Sequence, residues 1–214
     1  MRAKHPLSTG SVVFLPLQLD DLSTIRATAN AFLSAETRLD VLWNNAGVMV
    51  PPQGSVTAQG HELQLGINNL GHFLLTSLLM PVLRRTAQEE ATPGSVRVVW
   101  VSSSAADAAP HPAVDFENIN YSVREEGIWQ KYARSKAGCQ LHASELARRS
   151  AGLGILSLVS PPALLVWNAV VWAVILQGDA VLISPFCKIP RLSTLETLLP
   201  ISRKTCPRYS SPSL

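Results

Sequence analysis

The amino-acid sequence predicts an α/β protein: a doubly wound parallel sheet with helices on both faces. Three observations predict it. Short apolar, β-branched runs alternate with longer stretches of helical periodicity. The apolar runs are nearly continuous, as strands buried on both faces read. Small or hydroxylic residues follow them, as "NNAG" (44–47), "SSS" (102–104) and "SPP" (160–162). In open α/β sheets ligands bind beyond the carboxyl ends of the strands, so these three stretches mark the expected site.

The elements follow in order. "SVVFLPL" (11–17) reads as a strand. "DDLSTIRATANAFLSAE" (20–36) reads as a helix, with Leu22, Ile25, Ala29, Phe32 and Leu33 on one face and Asp20 or Asp21 as its cap. "LDVLW" (39–43) is a second buried strand, ending in "NNAG" and a Pro/Gly/Ser-rich loop. A helix is predicted over 60–84, with Leu63, Ile67, Leu70, Leu74 and Leu78 as its apolar stripe and Pro81 bending or shortening it. "VRVVWV" (96–101) is the third strand, "IWQKYARSKAGCQLHASELARRS" the next helix and "GILSLV" (154–159) the fourth strand. The order is β-α-β-α-β-α-β.

Composition narrows the function classes. The chain has 214 residues, enough for one domain with a real core, at 47% hydrophobic and 15% charged content. A net charge of +3 without a dense basic stripe argues against a nucleic-acid partner. Cys139, Cys187 and Cys206 are scattered and the five histidines show no ligand spacing, which argues against a metal site and a disulfide framework. No secretory signal is read near the start, and a cytoplasmic setting is expected. "ALLVWNAVVWAVIL" (163–176) is 14 residues long, short of the ~20 that a span needs. It is expected to be a buried element or an interfacial segment, which leaves peripheral membrane association open.

Four places could carry chemistry. Tyr132 and Lys136 stand four apart and share a helix face, so the lysine ammonium can favour a phenolate. Spacing alone also fits an ordinary helix-face pair. Asn44, Ala46 and Gly47 sit at a strand end, where small residues let backbone approach a ligand and Asn44 can tie neighbouring strands; an ordinary turn would look the same. The serines at 102–104 could bind a carbonyl or could cap a loop. Asn68 interrupts a helix, to hold a water or a backbone carbonyl or to face solvent.

Together, and in this order, the motifs resemble the short-chain dehydrogenase/reductase family. "LDVLWNNAGVM", "NNLGHFLLT", "VRVVWVSSSA" and "YARSKAG" carry the resemblance, which covers about residues 11–162. It looks closest to the retinol-dehydrogenase-like and WW-domain-oxidoreductase-like branch, especially its fungal members. The resemblance implies a Rossmann-type domain over 1–162, with 163–214 a divergent C-terminal segment. It implies Tyr132 as general acid, Lys136 as the group that tunes it and holds the nicotinamide ribose, and Ser103 as carbonyl binder, with Ser102 and Ser104 as alternative registers. Asn68 would support a water-mediated proton relay, and Asn44, Ala46 and Gly47 would border the cofactor, NADP by family habit or NAD. The implied reaction passes a hydride between nicotinamide and a lipophilic alcohol or ketone, in a chain that could form homo-oligomers.

The match also has gaps. The family's phosphate loop, T-G-x-x-x-G-x-G, does not occur in these 214 residues. "SVVFLPL" corresponds to the family's third strand, so the sheet is expected to be incomplete, with the first two strands and the glycine-rich loop absent and the chain N-terminally truncated. In the order 3-2-1-4-5-6 that leaves "SVVFLPL" without a neighbour and "LDVLW" as a raw apolar edge. Gln18 stands where the family has an aspartate near adenine, and "SPP" replaces N-P-G. The alternative expectation is therefore a non-catalytic fragment that lacks cofactor binding, or a membrane-associated interaction protein.

Overall fold

β1 (Val12–Pro16), β2 (Val41–Asn44), β3 (Val96–Val101) and β4 (Ile155–Ser160) form where the apolar runs predict them. The structure is a computed structural model and describes residues 12–90, 92, 94–160, 173–176 and 180–184. Two further strands, β5 (Ala173–Leu176) and β6 (Ala180–Ser184), complete a six-stranded sheet in the order β1-β6-β5-β2-β3-β4. β2, β3 and β4 are mutually parallel, and β6 is parallel to β1. β5 runs antiparallel to both β2 and β6.

This Rossmann-type sheet, parallel apart from β5, matches the expected class but corrects one expectation. β1 has a neighbour and β2 is not a bare edge, because the β5–β6 hairpin lies between them. Two apolar strands with unpaired amides on facing flanks are a strong template for any extended segment. The hairpin uses the last four residues of the predicted 163–176 segment. Residues 163–172, the expected role of "SPP" beyond Ser160, and the tail after Ser184 lie outside the described residues.

α1 (Leu22–Ala35) starts at Asp21, whose carboxylate accepts the Ser23 N–H at 3.0 Å. It buries Ile25, Ala29 and Phe32, while Leu33 is 37% exposed and does not belong to the buried stripe. Thr28 ties the helix to β1 by donating its hydroxyl to the Pro16 carbonyl at 2.6 Å.

The single helix expected over 60–84 is three pieces: α2 (Leu63–Leu65), a wide π turn (Gly66–Gly71) and α3 (His72–Glu89). A π turn accommodates one extra residue, so the buried face advances after it. Leu75, Leu79, Val82 and Leu83 are the buried apolar positions; Leu70, Leu74 and Leu78 are only partly buried. Pro81 lies inside α3, which continues past it to Glu89 rather than stopping. The carbonyl it releases belongs to Ser77, on the exposed side where water can serve it. The combined run Leu63–Glu89 is long and apolar enough to cross a membrane, but 56% of its most apolar window is buried in the fold, as in a core helix.

After β3 come two short 3-10 turns (Ser104–Ala108 and Phe116–Asn118), and then α4 (Ile128–Arg149). The loop is anchored to α4 by a buried pair: Arg134 donates to Glu126 at 2.7 and 3.0 Å. The core lies between sheet and helices, with Trp100 among its largest buried side chains, donating its Nε1–H to Ser157 Oγ at 3.2 Å.

Candidate active site

The carboxyl ends of β2 and β3 face α4 and the π turn, and most of the predicted site residues meet there. Asn68 is 1% exposed and sits inside the π turn. Its Oδ1 accepts the Val48 N–H at 2.9 Å, and its Nδ2 donates to the Val48 carbonyl at 3.0 Å and to Ser135 Oγ at 2.9 Å. Asn69 donates to the Ser135 carbonyl at 3.0 Å. The extra residue of the π turn turns both asparagines inward, which a regular helix would not do. Asn68 is thus neither solvent-facing nor idle: it fixes the loop after "NNAG" against α4.

Lys136 is buried and donates to the Val101 carbonyl at 3.0 Å. Its Nζ lies 5.9 Å from the centre of the Tyr132 ring, one turn earlier on the same face. Burial pushes the Lys136 ammonium below the usual lysine range and pushes the neighbouring Cys139 thiol up. Tyr132 is 8% exposed and meets Trp129 edge-on, at 6.3 Å between ring centres.

Gly47 completes the cluster. A Cβ there would stand 2.9 Å from Asn68 Oδ1 and 3.4 Å from Lys136 Nζ, so the glycine lets loop, π turn and α4 pack closely. Ala46 is buried, and its carbonyl accepts the Nε2–H of His72 at 2.7 Å. His72 is 1% exposed, and burial lowers its pKa to about 4, so it stays neutral. Asn44 corrects its expected role. It donates to Thr76 Oγ1 of α3 at 2.9 Å rather than tying strands together, and its buried Oδ1 has no partner among the described residues.

The three serines separate cleanly. Ser102 is buried and donates to the Lys136 carbonyl at 2.7 Å, a strand-to-helix brace. Ser103 is half-buried and accepts the Ala105 N–H at 3.2 Å, which leaves its own proton available. Ser104 is exposed.

Several participants carried little sequence signal. His72 and Thr76 follow Asn68 at successive spacings of four, and Ser135 directly precedes Lys136. The Val101 and Val48 backbone groups have no side-chain signature at all. A cavity of about 290 Å³ lies beside Ser135, Gly138 and His142 of α4, and neither Tyr132, Lys136, Asn68 nor Ser103 lines it.

A parallel-stranded sheet edge, an asparagine-held loop after its second strand, a hydroxyl at the end of the third and a Tyr–Lys helix face thus come together at one place. The family model for short chain dehydrogenases matches residues 2–114, and the chain belongs to that family. It is 54% identical over 164 residues to the short-chain dehydrogenase/reductase pkfC of Emericella nidulans, covering 76% of this chain and 52% of that one. An oxidoreductase of Schizosaccharomyces pombe, C736.13, is 41% identical over 149 residues, 70% of this chain and 43% of that one. The chain spans about half the length of these relatives. Among solved structures, an uncharacterized protein from Mycobacterium paratuberculosis aligns with a TM-score of 0.57 at 36% identity, over 69% of this chain and 49% of that one. NADPH-bound carbonyl reductase from chicken fatty liver shares the fold, with a TM-score of 0.55 at 23% identity, over 75% of this chain and 57% of that one.

The fit to a nicotinamide cofactor divides in two. The orphaned Asn44 Oδ1 and the Lys136 ammonium, which has N–H groups beyond its bond to Val101, suit a ribose and its neighbouring ring. The helices after β1 and β2 do not suit the cofactor's phosphates, because both begin on carboxylates, Asp21 and Glu62.

Proposed function

We propose that these residues form the reaction centre of a nicotinamide-dependent oxidoreductase that interconverts a lipophilic alcohol and its ketone. The observation that carries the reading is the cluster of Gly47, Asn68 and Lys136 against the Tyr132 face of α4, with Ser103 at the adjoining strand end. When bound, the cofactor supplies or accepts the hydride; Asn44, Ala46, Gly47, Tyr132 and Lys136 would hold its ribose end. NADP is preferred by family habit.

Each residue then has a task. Ser103, with its hydroxyl proton uncommitted, donates to the substrate oxygen and steadies charge there. Tyr132 gives that oxygen its proton in reduction and takes it in oxidation. Lys136 spends one N–H on Val101 and retains two for the ribose and for charge on the Tyr132 oxygen. Asn68 holds the Ser135 hydroxyl and, through Val48, fixes the strand-end loop against α4.

The test is turnover by the purified chain with NADPH and a panel of lipophilic ketones, followed by nicotinamide absorbance. Tyr132→Phe is expected to lower turnover by ~10²–10⁴-fold with the fold intact. Equal turnover in wild type and Tyr132→Phe would rule the mechanism out. A second reading, a non-catalytic member of the family, is favoured by one observation: the helices after β1 and β2 begin on carboxylates that do not suit the cofactor's phosphates.

A further inference from the structure

We infer, on the reading of Tyr132 as proton donor, that Gln64 is a positioning residue: it fixes the loop after β2 to the first turn of α4 and so sets where Tyr132 stands. Gln64 lies in α2 and is 0% exposed, an uncommon place for a long polar side chain. All of its amide is used. Its Oε1 accepts the Val50 N–H at 3.0 Å, and its Nε2 donates to the Ile128 carbonyl at 3.2 Å and to Glu62 Oε1 at 3.3 Å. The partners fix which way the amide points, since the Ile128 carbonyl can only accept and the Val50 N–H can only donate. Glu62 is itself held: its other oxygen accepts the Leu65 N–H at 2.7 Å, and its backbone N–H donates to Asn120 Oδ1 at 2.7 Å.

Both ends of this tie bear on the site. Ile128 is the first residue of α4, so its carbonyl also accepts the Tyr132 N–H one turn on. Gln64 therefore touches the peptide group from which the Tyr132 turn hangs. Val50, at the other end, has φ 51°, in the left-handed region that a β-branched residue rarely enters. Backbone in that region persists only where its surroundings impose it, and Gln64 is what takes the Val50 N–H. Asn68, four residues after Gln64, repeats the arrangement. One amide joins Val50 to Ile128, and the other joins Val48 to Ser135. The two bracket Tyr132 from before and after, and both refer it to the segment 48–50 beside Gly47. Gln53 adds a tie just ahead of α4, donating to the Glu126 carbonyl at 3.0 Å.

Gln64→Met keeps the length of the side chain and removes all three hydrogen bonds. Per folded molecule, kcat is expected to fall about 10–100-fold with the ketone KM within about threefold, as for a proton donor displaced by ~1 Å. A residue that merely supports the fold would lower the folded fraction and leave kcat per folded molecule unchanged, and that result would overturn the inference. Val50 gives the same test from the loop. Val50→Pro removes the N–H and forbids a positive φ, whereas Val50→Gly keeps the one and accepts the other. The kcat loss should be at least about fivefold larger in Val50→Pro; equal losses would overturn the inference, also where Gln64→Met does not fold. Residue-resolved amide exchange reads the tie without turnover. In Gln64→Met the Val50 and Tyr132 amides should exchange at least about tenfold faster than in the unmodified chain, with the Val98 amide unchanged. In Val50→Pro the Tyr132 amide alone reports the same change. No acceleration at Tyr132 in either variant would overturn the inference. If the unmodified chain does not turn over, or Tyr132→Phe turns over equally, the proposed chemistry fails, and the exchange result alone decides whether Gln64 holds Tyr132 in place.

Discussion

Asn68 holds Val48 by both of its backbone polar groups, accepting from its N–H at 2.9 Å and donating to its carbonyl at 3.0 Å. One amide thereby does the work of a strand neighbour for a loop that has none. Removing it leaves buried groups unpaired on Val48 and on Ser135. Asn68→Ala is expected to cost about 3 kcal/mol, from ~1–3 kcal/mol for each unsatisfied buried group after partial relaxation. Asn68→Asp keeps the acceptor but loses both donors, so it should be no milder. Urea unfolding measures both; a loss below about 1 kcal/mol in Asn68→Ala would mean the loop is held by something else.

Gly47→Ala tests the same contact from the other side. Its Cβ would press on Asn68 Oδ1 at 2.9 Å and approach Lys136 Nζ at 3.4 Å. Overpacking of this kind costs ~1–3 kcal/mol. Asn68→Ala removes the nearer obstacle, so the two costs should not add; an interaction of about 1 kcal/mol or more is expected in the double-mutant cycle. Strict additivity would show that the two sites do not touch in solution.

The four principal strands were legible because strands buried on both faces are continuous apolar runs, and "VRVVWV" gave its boundaries as Val96–Val101. The π turn was not, although Gly66, Asn68, Asn69 and Gly71 are all poor helix formers. Periodicity assumes 3.6 residues per turn, so it assigned Leu70, Leu74 and Leu78 to the buried face that Leu75 and Leu79 occupy. The β5–β6 hairpin was missed because an apolar stretch without a period does not distinguish strand from helix. In the site, the Tyr132–Lys136 spacing and the Asn68 interruption were visible. That Lys136 donates to a backbone carbonyl and Asn44 to α3 was not, since tertiary partners leave no mark on local spacing.

Ser102 and Ser103 separate brace from chemistry. Ser102 donates inside the fold, to the Lys136 carbonyl at 2.7 Å, whereas the Ser103 proton is uncommitted. Ser102→Ala should cost about 1 kcal/mol of stability by removing that strand-to-helix brace, since the carbonyl keeps its bond within α4. Ser103→Ala should cost less than about 1 kcal/mol, the value of a modest cap, while lowering ketone turnover by about 100-fold. Unfolding curves and initial rates on both variants decide it. A larger rate loss in Ser102→Ala, at equal folded fraction, would shift the carbonyl-binding role by one residue.

His72 makes the fold sensitive to mild acid. Its Nε2–H is committed to the Ala46 carbonyl, its Nδ1 is buried without a partner among the described residues, and burial lowers its pKa from 6.5 to about 4. Between those values the unfolded chain binds a proton that the folded chain refuses. The stabilisation is therefore fully present above pH ~6.5 and is lost as pH falls toward about 4, with a slope of up to ~1.4 kcal/mol per pH unit and about 3 kcal/mol in all. The partly buried His142, also shifted down by burial, adds in the same direction. Urea midpoints measured from pH 7.5 to 5 should fall with pH in wild type. His72→Gln keeps a donor for Ala46 but cannot titrate, so its midpoint should start lower and fall less steeply. Parallel pH profiles for wild type and His72→Gln would show that another group carries the acid sensitivity.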